Sequence, residues 1–177
     1  MADYRIGVFG GGKGIGKSAL VFQLAHQRFG LDPGFDEAVN HHVTIDGEAS
    51  HLQIWDACGF PYDHCDNHDE EMKLIRICRG FLCTYSVTCR ASFEHMLTLY
   101  DWIARVHGKK MPMVLVGNKC DAEAGREVTL AEGENLGSEL GCPMYETSAK
   151  NGINIEESFY ELVREMRKDK AAQQQSA

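Results

Sequence analysis

Gly11-Gly12-Lys13-Gly14-Ile15-Gly16-Lys17-Ser18 fits the pattern G-x-x-x-x-G-K-[ST], a spacing that by itself dictates a chemistry. Glycines let the chain curl until successive backbone N–H groups face one point, which suits the oxygens of a phosphate. A helix beginning at the end of the loop adds a favourable field for an anion. The groups that would line such a cradle are Gly12, Lys13, Gly14, Ile15, Gly16, Lys17, Ser18 and Ala19. Lys17 would reach the outer phosphates and serve the reaction there, and the Ser18 hydroxyl would hold Mg²⁺. A glycine linker is the plain alternative, but Tyr4–Phe9 reads as a strand before the loop and Ser18–Phe29 as a helix after it. Some ATPases carry an extra lysine five residues before the motif lysine; Lys13 lies four before Lys17 and does not fit that pattern.

Two further clusters follow apolar segments: Asn118-Lys119-Cys120-Asp121 and Glu146-Thr147-Ser148-Ala149-Lys150. With all three motifs in order, the chain resembles Ras-type small GTPases from Tyr4 to about Lys168. The stretches 112–121 and 162–165 look especially close to that family. The resemblance implies GDP or GTP with Mg²⁺ as bound cofactors. It gives Asp121 the task of accepting hydrogen bonds from guanine N1–H and the N2 amino group. Adenine offers no donors there and would leave a carboxylate unpaired. Asn118 would hold the loop and contact N7. Lys119 would cover one face of the base and Phe29 the other. Ser148, Ala149 and Lys150 would frame the O6 edge through backbone N–H groups. Asp56 would support the metal beside Ser18, and Gly59 would donate its N–H to a γ-phosphate. Effector or exchange-factor proteins would engage the switch segments 30–40 and 57–75.

The sequence departs from that family at four places. Lys13 stands where the family pattern has glycine, so a long cation crowds the space of an attacking water and of a partner's arginine. Gly34 is the best match for the threonine that grips Mg²⁺ in the first switch, and no Ser or Thr lies between Ser18 and Thr44 to replace it. Phe60 replaces the glutamine that orients water in the family's D-x-x-G-Q pattern. The second switch is long and polar from Tyr62 to Glu71. His64, Cys65 and His68 within it have spacing for a zinc site, yet no second ligand cluster completes one, and a solvated acidic loop is the simpler reading. His41-His42 likewise reads as strand surface.

The elements that must hold these residues follow from periodicity. His42–Ile45 and Leu52–Trp55 read as strands joined at Asp46-Gly47, whose residue types favour a tight hairpin turn. Phe81–Val87 and Met113–Gly117 are near-continuous apolar runs, as in strands buried on both faces. Phe93, Met96, Leu97, Tyr100 and Ile103 recur at helical spacing, as do Ile155, Phe159, Leu162, Val163 and Met166. Thr129 and Glu132 form a capping box at the start of another helix. Alternating strands and helices imply a mostly parallel sheet covered on both sides, with one antiparallel edge strand. The resemblance sharpens this to an α/β, three-layer P-loop NTPase fold with six strands and about five helices. Residues 1–169 form one such domain, and 170–177, rich in Ala and Gln, read as a frayed tail.

Composition narrows the partners. The 177 residues suffice for one domain, and a formal charge of −8 argues against non-specific nucleic-acid binding. Cys58, Cys65, Cys78, Cys83, Cys89, Cys120 and Cys142 are odd in number and several lie in apolar runs, which suits free thiols in a reducing compartment. No secretory pattern opens the chain and no apolar run spans a bilayer. The chain ends Gln-Gln-Ser-Ala, without a cysteine lipidation motif. As written it is expected to be a cytoplasmic monomer that does not bind membranes. Two functions remain in view: a slow GTPase switch, and a nucleotide-binding interaction module with negligible turnover.

Overall fold

The computed structural model describes residues 1–29, 38–57 and 68–175. Six strands form one sheet in the order β2-β3-β1-β4-β5-β6. They are β1 (Ala2–Gly10), β2 (Val39–Ile45), β3 (Glu48–Asp56), β4 (Gly80–Ser86), β5 (Met113–Asn118) and β6 (Met144–Glu146). β2 alone runs antiparallel, pairing with β3; β3, β4, β5 and β6 are laid down parallel to β1 or to one another. Every residue of β4 and of β5 is buried, as their unbroken apolar runs require. Asp46 and Gly47 join β2 to β3 with φ of 53° and 81°, the double positive-φ geometry of a tight hairpin.

Side-chain alternation along the strands sorts the core into two faces. Leu82, Val114 and Val116 join α1 (Lys17–His26) and α6 (Ile155–Gln175) through Leu20, Val21, Leu24, Phe159 and Leu162. Phe81, Cys83, Met113 and Leu115 point the other way, to Ile75, Met96, Leu99, Ile103 and Leu136. Those residues belong to α2 (His68–Ile77), α4 (Met96–His107) and α5 (Leu130–Leu140). The three-layer architecture is therefore as the resemblance implied. A short α3 (Arg90–Glu94) leads into α4 across His95, and the two together count as one of five helices. Among the described residues no helix is long and apolar enough to cross a membrane.

β2 and β3 begin earlier than their apolar runs, at Val39 and Glu48 rather than His42 and Leu52, and two helix ends also differ from the pattern-based expectation. α1 stops at His26 rather than Phe29, because Gln27 takes a left-handed φ of 51° and its N–H closes back on the Gln23 carbonyl. Beyond Leu24 the segment has no apolar face to dock. The Ala- and Gln-rich residues from Lys170 continue α6 to Gln175, exposed, as good helix formers can once a long helix is already nucleated.

Two arginines of α6 reach across to the edge hairpin. Arg164 donates to both carboxylate oxygens of Asp46 (2.9 and 2.8 Å). Arg167 donates to the Tyr4 hydroxyl (2.9 Å), the Ser50 hydroxyl (3.1 Å) and the Ile45 carbonyl (3.3 Å), with Glu48 at 3.1 Å. The loops after β1, β5 and β6 and the end of β3 all emerge at the carboxyl edge of the sheet, where α/β proteins place ligands.

Two outcomes follow. Gly47→Ala meets no neighbour within 4 Å, so its cost is backbone strain alone, about 1 kcal/mol in a urea titration. The Glu132 carboxylate is held ionised first by the Arg90 guanidinium and then by the Thr129 N–H and hydroxyl, with a pKa lowered to about 2. A depressed carboxylate stabilises the fold above its ordinary value of 4.5 and loses that contribution as pH falls toward 2. The stability gap between the parent and Glu132→Gln, read from urea midpoints, should be open at pH 6 and close on acidification.

Candidate functional site

The phosphate loop is built by three alternating positive-φ glycines: Gly12 at 103°, Gly14 at 71° and Gly16 at 98°. A Cβ on Gly12 or Gly14 would meet nothing within 4 Å, so the loop stands open on that side. Its inner side is the reverse. A Cβ on Gly10 would lie 2.3 Å from Ile15 Cδ1, and one on Gly16 2.3 Å from Asn118 Nδ2. Ile15 is only 2 % exposed and anchors the loop in the core. Lys17 is buried at 7 % exposure, and its Nζ donates to the Gly12 carbonyl at 3.0 Å, arching back over the loop. Ser18 follows in the first turn of α1, a turn free of acidic side chains. Ala19 packs against the core. Lys13 is exposed and forms no hydrogen bond or ion pair among the described residues.

Asn118, the last residue of β5, joins this loop to the two others. Its buried amide donates from Nδ2 to the Ile15 carbonyl at 2.9 Å. Its Oδ1 accepts from the Thr147 hydroxyl (3.2 Å) and the Ala149 N–H (3.3 Å). Thr147, which motif reading left without a task, is thus tied to Asn118; its place in the Glu146–Lys150 cluster was the available signal. Lys119, at φ 66°, sends its ammonium across to the Gly14 carbonyl. Ser148 Oγ donates to Asp121 Oδ1 at 2.5 Å and accepts from the Asn151 N–H. Asp121 is thus held against the third loop, while its other oxygen carries no bond among the described residues.

Of the N–H groups expected to frame the O6 edge, that of Ser148 donates to the Ile153 carbonyl (3.2 Å) and that of Ala149 to Asn118. Both bonds are long, so an incoming acceptor competes with weak partners. Phe29 stands 57 % exposed beyond the end of α1. Asp56 ends β3 opposite Val8, two residues before the phosphate loop leaves β1. Burial, then the charges of Glu146 and Asp121, push the Cys120 thiol above its ordinary range, so it is neutral beside the pocket. Gly34, Gly59 and Phe60, with His64 and Cys65, lie outside the described residues, as does the His68 side chain. Among the described residues no His, Cys, Asp and Glu group could hold a metal by itself.

The arrangement fits a nucleotide with its metal. The 11–18 loop offers an open glycine face, a buried ammonium and a helix start without a side-chain cap, and Asp121 offers a carboxylate held at one oxygen. Comparison with known proteins agrees. The model of the Ras family matches residues 7–168. A Ras-like protein of Dictyostelium discoideum, rasS, is 41% identical over 179 residues, covering 99% of this chain and 90% of that protein. A second from the same organism, rasB, is 41% identical over 94% of this chain and 83% of its own length. A Ras-like protein of Laccaria bicolor is 40% identical over 95% of this chain and 79% of its own.

Asn118→Ala would strand the Ile15 carbonyl, the Thr147 hydroxyl and the Ala149 N–H together. The expected loss is roughly 2–3 kcal/mol, measured by chemical denaturation without added ligand.

Proposed function

The chain belongs to the Ras family of small GTPases, and on that premise we propose that it binds GDP and GTP with Mg²⁺ and hydrolyses GTP slowly in a signalling role. The observation that carries this is the Asn118 amide, which ties a phosphate loop to a base pocket built around Asp121. Gly12 to Ala19 present the N–H cradle, and Lys17 neutralises phosphate charge. Ser18 and Asp56 are the residues that would hold Mg²⁺, which supplies charge neutralisation at the outer phosphates when bound. Asp121 selects guanine over adenine, Lys119 and Phe29 enclose the base, and Ser148, Ala149 and Lys150 border it.

Slow turnover is read from the residues that should act on water. Phe60 has no hydrogen-bonding group with which to hold a nucleophile, leaving Gly59 N–H and Lys17 as the chain's own contributions. The free Lys13 side chain stands where a partner's arginine would enter, and such an arginine is worth roughly 10³–10⁵ in rate in this class of enzyme. Gly34 offers no hydroxyl to the metal, so the γ-phosphate adds little differential binding between states of the first switch, and a ligand shifts an equilibrium only by that difference. Segments 30–40 and 57–75 are where effector or exchange proteins would dock. The free thiols Cys78, Cys83, Cys89, Cys120 and Cys142 suit a reducing compartment, in line with a cytoplasmic protein, which we take to be a monomer.

Asp121→Asn should weaken GDP binding by at least about a hundredfold and admit xanthosine diphosphate, whose exocyclic oxygen prefers an amide donor. Unchanged GDP affinity in that variant would sink the base-pocket assignment. Single-turnover hydrolysis, compared for the parent, Lys13→Gly and Phe60→Gln, should rise by about tenfold in each variant and most in the double variant. A fast parent that slows on Lys13→Gly would make Lys13 itself the catalytic cation. A parent and variants all without turnover would leave a nucleotide-binding interaction module.

A further inference from the structure

Arg126 follows the short 3₁₀ turn Glu123–Gly125, and none of its hydrogen bonds goes to Asn118–Asp121 or to Ser148–Lys150. A guanidinium has five N–H groups, and in Arg126 every one has an acceptor. Nε donates to Glu123 Oε2 (3.2 Å) and Nη2 to Glu123 Oε1 (2.7 Å). Nη1 and Nη2 grip Glu146 at 2.6 and 3.1 Å, and Nη1 also donates to the Val128 carbonyl at 3.1 Å. Arg126 and Glu146 are 17% and 16% exposed, whereas Glu123 is 72% exposed. The Glu146 pair is therefore the sheltered one and the stronger tie.

The two carboxylates belong to the two base loops. Glu123 lies two residues after Asp121, in a turn fixed by the Ala122 N–H on the Lys119 carbonyl. Glu146 lies two residues before Ser148. Its carbonyl accepts from Asn154 Nδ2 at 2.8 Å, and the next N–H, of Thr147, pairs with the Gly117 carbonyl. β6 has only three residues, all half-buried, and one neighbouring strand. A strand so short is poorly located by its ladder and depends on side-chain ties.

We infer that Arg126 is a positioning residue for base recognition: it fixes the spacing between Asp121 and the Ser148–Lys150 backbone, and so the residence time of a bound guanine. The inference rests on the nucleotide-binding function proposed above. A planar fork suits the task better than a lysine, because one group must hold two carboxylates at set angles. Without it, Glu146 and Glu123 repel each other and Glu146 is left charged in a sheltered site, so the loops spread where Asp121 must meet N1–H and the N2 amino group together.

The test is release of fluorescent-labelled GDP from the full chain with Mg²⁺ and excess unlabelled GDP. Arg126→Met and Glu146→Gln should each release it about tenfold faster, with Arg126→Lys between them and the parent. Single-turnover hydrolysis of bound GTP should stay within about twofold of the parent, because the phosphate side is untouched. The affinity ratio of GDP to inosine diphosphate, which lacks the N2 amino group, should shrink in Arg126→Met and partly recover in Arg126→Lys. If Arg126→Met does not fold, Glu146→Gln and Arg126→Lys carry the same readouts. Unchanged release overturns the inference, and so does faster release with an unchanged GDP to inosine diphosphate ratio, which marks general loosening. A parent that holds no GDP at all overturns the functional reading beneath it instead.

Discussion

One buried amide organises this molecule. Asn118 sits at the end of a fully buried strand, 1 % exposed, and satisfies three backbone or side-chain groups from two different loops. Its presence forces the glycine at position 16, where any Cβ would strike Nδ2 at 2.3 Å. The phosphate loop and the base loops are 103 residues apart in sequence at this contact and have no freedom to drift independently. Burying a polar group is costly unless all its bonds are made, so such a contact holds in one geometry or not at all. That geometry fixes how the 11–18 loop stands relative to the 146–150 loop that holds Asp121, the spacing on which the proposed nucleotide binding depends.

The sheet supplies the rigidity that the amide needs. β4 and β5 are buried on both faces, and α1 and α6 on one side and α2, α4 and α5 on the other leave neither strand a route to solvent. Glycines at two further places let a large ring into this layer. A Cβ on Gly117 or Gly133 would come within 2.7 or 2.4 Å of the Tyr85 hydroxyl, so that ring packs between β5 and α5 just behind the base loops. Burial drives the Tyr85 phenol strongly upward, which keeps it neutral there.

Much of the fold and site was legible because its causes are local. The unbroken apolar runs of β4 and β5, the Asp46-Gly47 turn and the Thr129–Glu132 box each depend on residues a few positions apart, and each is found where pattern reading put it. The end of α1 was not legible, since Gln27 adopts a left-handed cap that composition does not announce. Thr147 as a ligand of Asn118, and Arg126 as the clamp on Glu146, were missed for another reason. Those bonds join residues 29 and 20 positions apart, and no periodicity links them. The Ser148 and Ala149 N–H groups show the same limit: a motif names the groups at a site but not the partners they already hold.

The arginine ties between α6 and the hairpin also bear on how the chain reaches and leaves this state. The Arg164–Asp46 contact spans 118 residues and links the turn between β2 and β3 to the last helix. A contact of that sequence separation carries a large loop-closure cost until the sheet between its partners is in place. A contact made only after the barrier is crossed adds to the unfolding barrier and leaves the folding rate unchanged. The arginines are therefore expected to bear more on how long the chain stays folded than on how fast it folds.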